Sequence, residues 1–506
     1  MIANYKESFC IRSSSIAEIF YKAVEKYPKR SAVILPDRSF SYAELNRLVS
    51  LAIIRIKEHL HATDCRIAII GNNHPAYVVA YFAAQCLNTS TVEAGRHESL
   101  DTLVNIVDRT GTCFVLTDRD DLRKALHAQL PVESFQEFLS ACETYPNGIV
   151  NFPKVITHTE SSKEASIIYT SGTTSSSKGV ILSHENFCYI AYIVADYLKL
   201  NKDDLYAYVL PLCHTYGKSI LLSSFAVGAA VVLLENFQNL SNFLNLIVDK
   251  KCTILSVVPY HIHMLLKGGT LSKYNLSSLR SITSSGNKLE PTTIDRLKEE
   301  LPRVQIFSMY GLTESTTRAT YVPPEILSKK KESCGRPLPG VEIKIVKEDG
   351  SNSPIGQVGE VFLRGPNIMK AYFADSKLTS ETLVDGWLKT GDLGHLDEDG
   401  YLYLDGRKKD IIKCCGERIS ALEIEQVLME HPEVEEAAVI GSQDSLMGEI
   451  VHAYVVPRSS SLKKGELRDH CIKRLSHHKI PYRYSFIEKL PKTATGKVQK
   501  YLLDRD

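Results

Sequence analysis

Two apolar residues, Ile167 and Ile168, run straight into Tyr169-Thr170-Ser171-Gly172-Thr173-Thr174-Ser175-Ser176-Ser177-Lys178-Gly179-Val180. The apolar pair reads as the end of a strand, and it leads into a short loop of hydroxyls, glycines and one lysine. Glycine lets backbone N–H groups come close to an anion. Hydroxyls donate hydrogen bonds, and Lys178 adds a point charge. This is the chemistry of a loop that holds nucleotide phosphates. The Walker pattern G-x-x-x-x-G-K-[ST] does not fit, because Ser177 precedes Lys178 and Gly179 comes after it. A Ser/Gly-rich linker has a similar composition, so the reading depends on the rest of the chain.

With 506 residues the chain is too long for one ordinary core. A hydrophobic content of 44% and a charged content of 24% are those of a soluble globular protein. The net charge of +1 gives no strong field for nucleic acid or membrane. The 12 cysteines form no disulfide or zinc framework, so reduced thiols, no structural zinc and a cytoplasmic setting are expected. Residues 1–7 lack an apolar signal core, and the apolar region 67–87 is broken by Asn72-Asn73-His74-Pro75, so no membrane span is expected.

Apolar periodicity predicts helices after the capping boxes Ser15-x-x-Glu18 and Ser41-x-x-Glu44. Strands are expected near 32–35, 65–70, 113–116, 166–169, 205–209, 230–234, 253–258, 281–284 and 305–308, with helical patterns between most of them. That alternation means α/β architecture with largely parallel sheets. After about residue 335, short alternating strands at 341–346, 359–363 and 401–404 indicate a small, mostly antiparallel, barrel-like subdomain. From residue 407 the chain reads as a small α+β domain, with helices at 421–430 and 464–477. The expected division is 1–406 and 407–506.

Three further segments carry chemistry. Met309-Tyr310-Gly311-Leu312-Thr313-Glu314 places a ring, a hydroxyl and a carboxylate at the C-terminal end of a strand, where α/β proteins bind ligands. Thr390-Gly391-Asp392-Leu393 and Gly406-Arg407 offer a carboxylate for ribose hydroxyls and a guanidinium for phosphate. Pro491-Lys492-Thr493-Ala494-Thr495-Gly496-Lys497 puts a lysine on a Gly-hinged loop near the end of the chain.

In this order and spacing the segments resemble the adenylate-forming superfamily of acyl-CoA synthetases, adenylation domains and luciferases, over nearly the whole chain. The resemblance implies a large N-terminal domain that binds ATP and a carboxylic acid, then a small mobile α+β domain. It also implies acyl-AMP formation with release of pyrophosphate, then transfer to a phosphopantetheine thiol. Thr170, Ser171, Gly172, Thr173, Thr174 and Lys178 match the loop over the β- and γ-phosphates. Tyr310 matches the ring stacked on adenine, Thr313 the hydroxyl near the α-phosphate, and Glu314 the Mg²⁺-linked carboxylate. Asp392 matches the ribose ligand and Arg407 a ribose or phosphate contact. Lys409 matches the hinge, Gly416 and Arg418 the thiol tunnel, and Lys497 the lysine that bridges α-phosphate and substrate carboxylate. Ser175-Ser176-Ser177 stands where the family usually has Gly-x-Pro, which puts the path of that loop in question.

The resemblance places His214, Tyr216, Ser219, Tyr260, Ser284, Ser285, Gly286, Asn287 and Met309 in the acid pocket. Amino-acid-activating relatives carry an aspartate near Thr215, and Cys213-His214-Thr215-Tyr216 has none. A buried ammonium without a carboxylate is costly, so an acid lacking an α-ammonium group is expected. The thiol is CoA or the phosphopantetheine of a carrier protein, with CoA favoured. The segment from Thr316 to Pro324 resembles stand-alone ligases of specialised biosynthesis, some of which load carriers. A luciferase-like oxidoreductase and a non-catalytic nucleotide-binding protein are the other classes weighed; retention of Glu314 and Lys497 speaks against the second.

Overall fold

The computed structural model describes residues 13–60, 65–144, 159–170, 177–234, 239–414, 417–444, 448–492, 496 and 498–503. The described chain forms two compact units. One comprises the chain up to Glu342 together with Leu363–Leu388; the other comprises Ile343–Phe362 and the chain from Lys389 onward.

The first unit holds a nine-stranded and a seven-stranded sheet. In the larger one, Leu205–Tyr208, Ile254–Val257, Ser281–Ser284 and Gln305–Tyr310 run parallel and side by side. Alternation of side chains across this sheet gives it two unlike faces. Ala207, Leu255, Ile282 and Ile306 belong to an apolar core shared with residues of the helices Leu240–Lys250, Pro259–Leu266 and Pro291–Glu300. Their neighbours Tyr206, Tyr208, Ser256, Thr283 and Met309 take the opposite face, which carries hydroxyls and rings. Thr320–Val322 adds antiparallel to Gln305–Tyr310 at its edge.

In the second sheet, Arg66–Ile70, Thr91–Glu93 and Glu164–Thr170 are parallel neighbours. Glu164–Thr170 then turns back as an antiparallel hairpin into Lys178–Ser183. Ala371–Tyr372 pairs antiparallel with the outer edge of that hairpin. Helix starts agree with the caps read from the sequence. Ser41 and Glu44 make the full reciprocal box, whereas the Glu18 carboxylate turns to Ser14 and leaves Ser15 to accept from the Glu18 N–H.

The second unit contains the antiparallel pair Trp387–Leu396 and Leu402–Arg407, and a sheet in which Val434–Asp444 and Gly448–Pro457 form a long hairpin. Arg483–Phe486 adds parallel to that hairpin. The helix Ala421–Met429 covers it at Ile424 and Leu428, and Lys464–Ile472 at Leu467 and Cys471. The second helix stops short of residue 477, and a separate 3-10 turn, His477–Lys479, comes after it. The α/β character, the parallel sheets, the short antiparallel subdomain and the C-terminal α+β region all agree with the fold class expected from the sequence. Among the described residues no helix is long and apolar enough to cross a membrane.

Candidate active site

Thr170 and Lys178, which flank the hydroxyl-rich segment in sequence, are paired across antiparallel strands. Residues 171–176 themselves lie outside the described residues, as do Gly416 and Lys497; of Arg418 only the backbone is described, in the strand Glu417–Ser420. Gly179 is set by packing: a Cβ there would lie 2.9 Å from the Tyr169 ring. The Lys178 ammonium sits 5.6 Å from the centroid of Tyr372. The Tyr372 hydroxyl donates to Oε1 of Glu314 at 2.8 Å. Burial, then the neighbouring Glu314 carboxylate, pushes the Tyr372 phenol up, so it remains a proton donor across the working pH range. The Met369 N–H donates to the Glu314 carbonyl, and the Phe373 N–H to that of Gly179. Lys178, Tyr372 and Glu314 thus form one cluster. Tyr372 was not among the residues expected from sequence.

Tyr310 ends its strand buried, and Thr313–Ser315 form a single 3-10 turn. Gly311 is obligatory, since a Cβ would lie 2.1 Å from the Thr317 carbonyl oxygen. Thr316 and Thr317 both adopt positive φ, 48° and 77°. β-Branched residues are strained there, and the strain is held from outside. The Thr316 hydroxyl donates to the Asn367 carbonyl, and the buried Asn367 amide donates to the carbonyls of Ser315 and Arg318. Asn367, also unforeseen, therefore fixes the loop that presents Thr313 and Glu314.

Of the residues expected in the acid pocket, Tyr216 and Met309 meet the polar face of the larger sheet. His214 precedes the helix Thr215–Val227, and the Tyr216 phenol shares a 2.8 Å hydrogen bond with the Thr283 hydroxyl. Gly217 admits the Tyr208 phenol and the Pro211 carbonyl, which a Cβ would strike. Met309 accepts from the Tyr197 hydroxyl. Ser219 donates to the Tyr216 carbonyl within its own helix. Ser284 and Ser285 are buried, Gly286 has φ +99°, Asn287 is exposed, and Tyr260 is 42% exposed at its helix start.

Two buried charged sites lie at the helix and at the ring of Tyr216, one an ion pair and one a guanidinium. Lys218 and Glu93 pair at 2.5 Å, both fully buried. Tyr77 also donates to Glu93, Thr91 donates to its other oxygen, and the Lys218 ammonium stands 3.5 Å from the Tyr81 centroid. Burial lowers the Lys218 pKa and the Glu93 carboxylate opposes that shift. The second charge is Arg318, 1% exposed, with its guanidinium 5.2 Å from the Tyr216 centroid and 5.9 Å from that of Tyr197. None of its three side-chain nitrogens has a hydrogen-bond acceptor among the described residues. The Tyr216 phenol is near enough for the charge to oppose the upward push of burial, yet no hydrogen bond of good geometry joins them. Two cation–π contacts contribute about 0.5–2 kcal/mol each. An uncompensated buried ion costs several.

In the second unit Asp392 and Arg407 are cross-strand partners, joined at 3.0 Å. Asp392 lies inside a ten-residue strand whose register shifts between Leu393 and Gly394. Its N–H is fixed by the Thr390 hydroxyl, which in turn donates to the Val361 carbonyl. Lys409 lies in the 3-10 turn Lys408–Asp410, between two strands, and Lys408 pairs with Glu360 at 2.9 Å.

The sequence profile of the family described as "AMP-binding enzyme" matches residues 20–373, and that of the "AMP-binding enzyme C-terminal domain" matches residues 423–497. The chain is 33% identical to the indoleacetate–CoA ligase of Aromatoleum aromaticum, covering 94% of each chain. It is 32% identical to the 2-succinylbenzoate–CoA ligase of Bacillus subtilis, covering 93% of this chain and 94% of the other. A solved structure of the Bacillus subtilis o-succinylbenzoate–CoA synthetase with ATP and magnesium superposes with a TM-score of 0.86 at 30% identity, over 96% of this chain and 98% of that one.

Proposed function

This chain belongs to the AMP-binding enzyme family, and on that premise we propose that it activates a carboxylic acid with ATP and passes the acyl group to CoA. The carboxylate oxygen attacks the α-phosphorus, the bond to the β-phosphate breaks, and pyrophosphate leaves. The CoA thiolate then attacks the acyl carbon and AMP departs. The observation that carries this reading is the cluster of Lys178, Tyr372 and Glu314, continuous in sequence with the hydroxyl-rich segment and with the Tyr310–Glu314 segment. Phosphoryl-type transfer depends on positioning and on neutralising charge, and these groups supply both.

Lys178 and the loop 170–177 hold the β- and γ-phosphates. Tyr310 stacks on the adenine, Thr313 donates near the α-phosphate, and Asp392 and Arg407 hold the ribose. Glu314 fits Mg²⁺: it is a hard oxygen donor, and only Oε1 is engaged by the described residues. No cluster of three or more His, Cys, Asp or Glu side chains that could hold a metal ion occurs among the described residues. When bound, Mg²⁺ neutralises phosphate charge. Residues 407–506 act as a mobile domain hinged at Lys409. It brings Lys497 to the first step and withdraws it for the second, when Gly416 and Arg418 line the thiol's path.

CoA is favoured as acceptor because the relatives named above are CoA ligases. The test is pyrophosphate release over a panel of carboxylic acids, then mass spectrometry of products made with CoA and with a phosphopantetheinylated carrier protein. Acid-dependent pyrophosphate and acyl-CoA are expected. A preference of more than about tenfold in kcat/KM for the carrier, about 1.4 kcal/mol, would replace CoA as the acceptor.

A further inference from the structure

Arg318 is a fully buried guanidinium whose nitrogens find no acceptor among the described residues. The conformation of its segment does not require the charge, because Asn367 fixes the backbone through the carbonyls of Ser315 and Arg318. An apolar side chain of similar length would fill the same space without the cost of burying an ion. The polar groups nearby add no counter-charge. Tyr216 is bound to Thr283, Tyr197 donates to Met309, and the Tyr206 hydroxyl, close enough to feel the guanidinium, is itself unpartnered. The phenol oxygens nearby can accept but carry no charge, so the guanidinium has no counter-ion among the described residues. An ionised carboxylate is acceptor-only and matches the guanidinium fork with two parallel bonds.

The placement is beside Tyr216, a residue that the family resemblance assigns to the acid pocket. Arg318 lies on the loop that carries Thr313 and Glu314, and its charge rests against the ring of Tyr216. We propose that Arg318 binds a second carboxylate on the acid, so that the substrates of this enzyme are dicarboxylic acids, one carboxylate being activated and the other held by the guanidinium. This rests on the adenylation reading and narrows its substrate class.

The test is a panel of matched pairs, each a monocarboxylic acid and its counterpart with a distal carboxylate, from short aliphatic to arylalkanoic acids. Pyrophosphate release is measured for wild type, Arg318→Met and Arg318→Lys. The wild type is expected to favour the best diacid over its monoacid by at least about tenfold in kcat/KM. Arg318→Met should lose that preference, and its melting temperature without ligand should match or exceed that of wild type. Arg318→Lys should retain part of the preference, and it decides the matter should the Met variant not fold. A wild type that uses monoacids equally well overturns the proposal and leaves adenylation standing, as does a diacid preference that survives in both variants. Absence of pyrophosphate with every acid would overturn the adenylation reading, and this inference with it.

Discussion

The Tyr372 hydroxyl donates to the Glu314 carboxylate at 2.8 Å while the Tyr372 ring lies beneath the Lys178 ammonium. One side chain on the added strand Ala371–Tyr372 thus orients both the proposed Mg²⁺-linked carboxylate and the phosphate-loop lysine. A hydrogen bond to a charged group is worth about 1.5–3 kcal/mol. Tyr372→Phe is expected to lower kcat for pyrophosphate release about tenfold or more and to raise the half-saturating Mg²⁺ concentration. Its melting temperature should change little. An unchanged Mg²⁺ dependence would confine Tyr372 to packing.

The Glu93–Lys218 pair makes a prediction about stability. Glu93→Gln leaves a fully buried ammonium without its carboxylate, and breaking such a pair costs about 3–5 kcal/mol. The double substitution Glu93→Leu with Lys218→Met removes both charges and should be less destabilising than either single charge removal. Denaturant titration of wild type, Glu93→Leu, Lys218→Met and the double variant measures the coupling; simple additivity would contradict a compensated pair.

His184 accepts at Nδ1 from the Ile16 N–H, and burial, then Lys163, lowers its pKa from 6.5 to about 4. The folded pKa lies below the unfolded one, so the contribution is complete above about pH 6.5 and is lost as the pH falls through about 4. The full loss amounts to about 3 kcal/mol. His184→Asn should flatten the decline in stability between those limits. Parallel pH curves for variant and wild type would exclude His184 as a cause.

Asp392 and Arg407 are fixed to each other before any nucleotide arrives. Asp392→Asn keeps the shape but removes the charge that would accept ribose hydroxyls. KM for ATP is expected to rise about 10- to 100-fold, with KM for the acid little changed. Equal rises in both would point to a general loosening of the strand instead.

Several strands on buried sheets were legible because their apolar runs are continuous, as at 67–70 and 230–234. Other strands were not expected, such as Thr91–Glu93 and Thr320–Val322, and for two of the unforeseen ones the physical reason is plain. Lys178–Ser183 comes after a serine-rich loop and includes a glycine demanded by the Tyr169 ring, which no local pattern reveals. Trp387–Leu396 contains Gly391 at φ +71° and a register shift, so its Thr390-Gly391-Asp392 core reads as a turn. The candidate site was legible where residues cluster in sequence, as in Tyr310–Glu314. Tyr372 and Asn367 reach that cluster only through tertiary contacts. Arg318 stands in a segment already singled out, yet an arginine is ordinarily a surface residue; only its burial without acceptors marks it.

The most direct test of the central claim tracks the oxygen atoms. With a substrate acid labelled with oxygen-18 in its reacting carboxylate, attack on the α-phosphorus must carry one labelled oxygen into AMP once CoA takes the acyl group. The account predicts AMP carrying one labelled oxygen, acyl-CoA keeping the other in its thioester carbonyl, and unlabelled pyrophosphate. Unlabelled AMP, or label in inorganic phosphate alongside ADP, would contradict it.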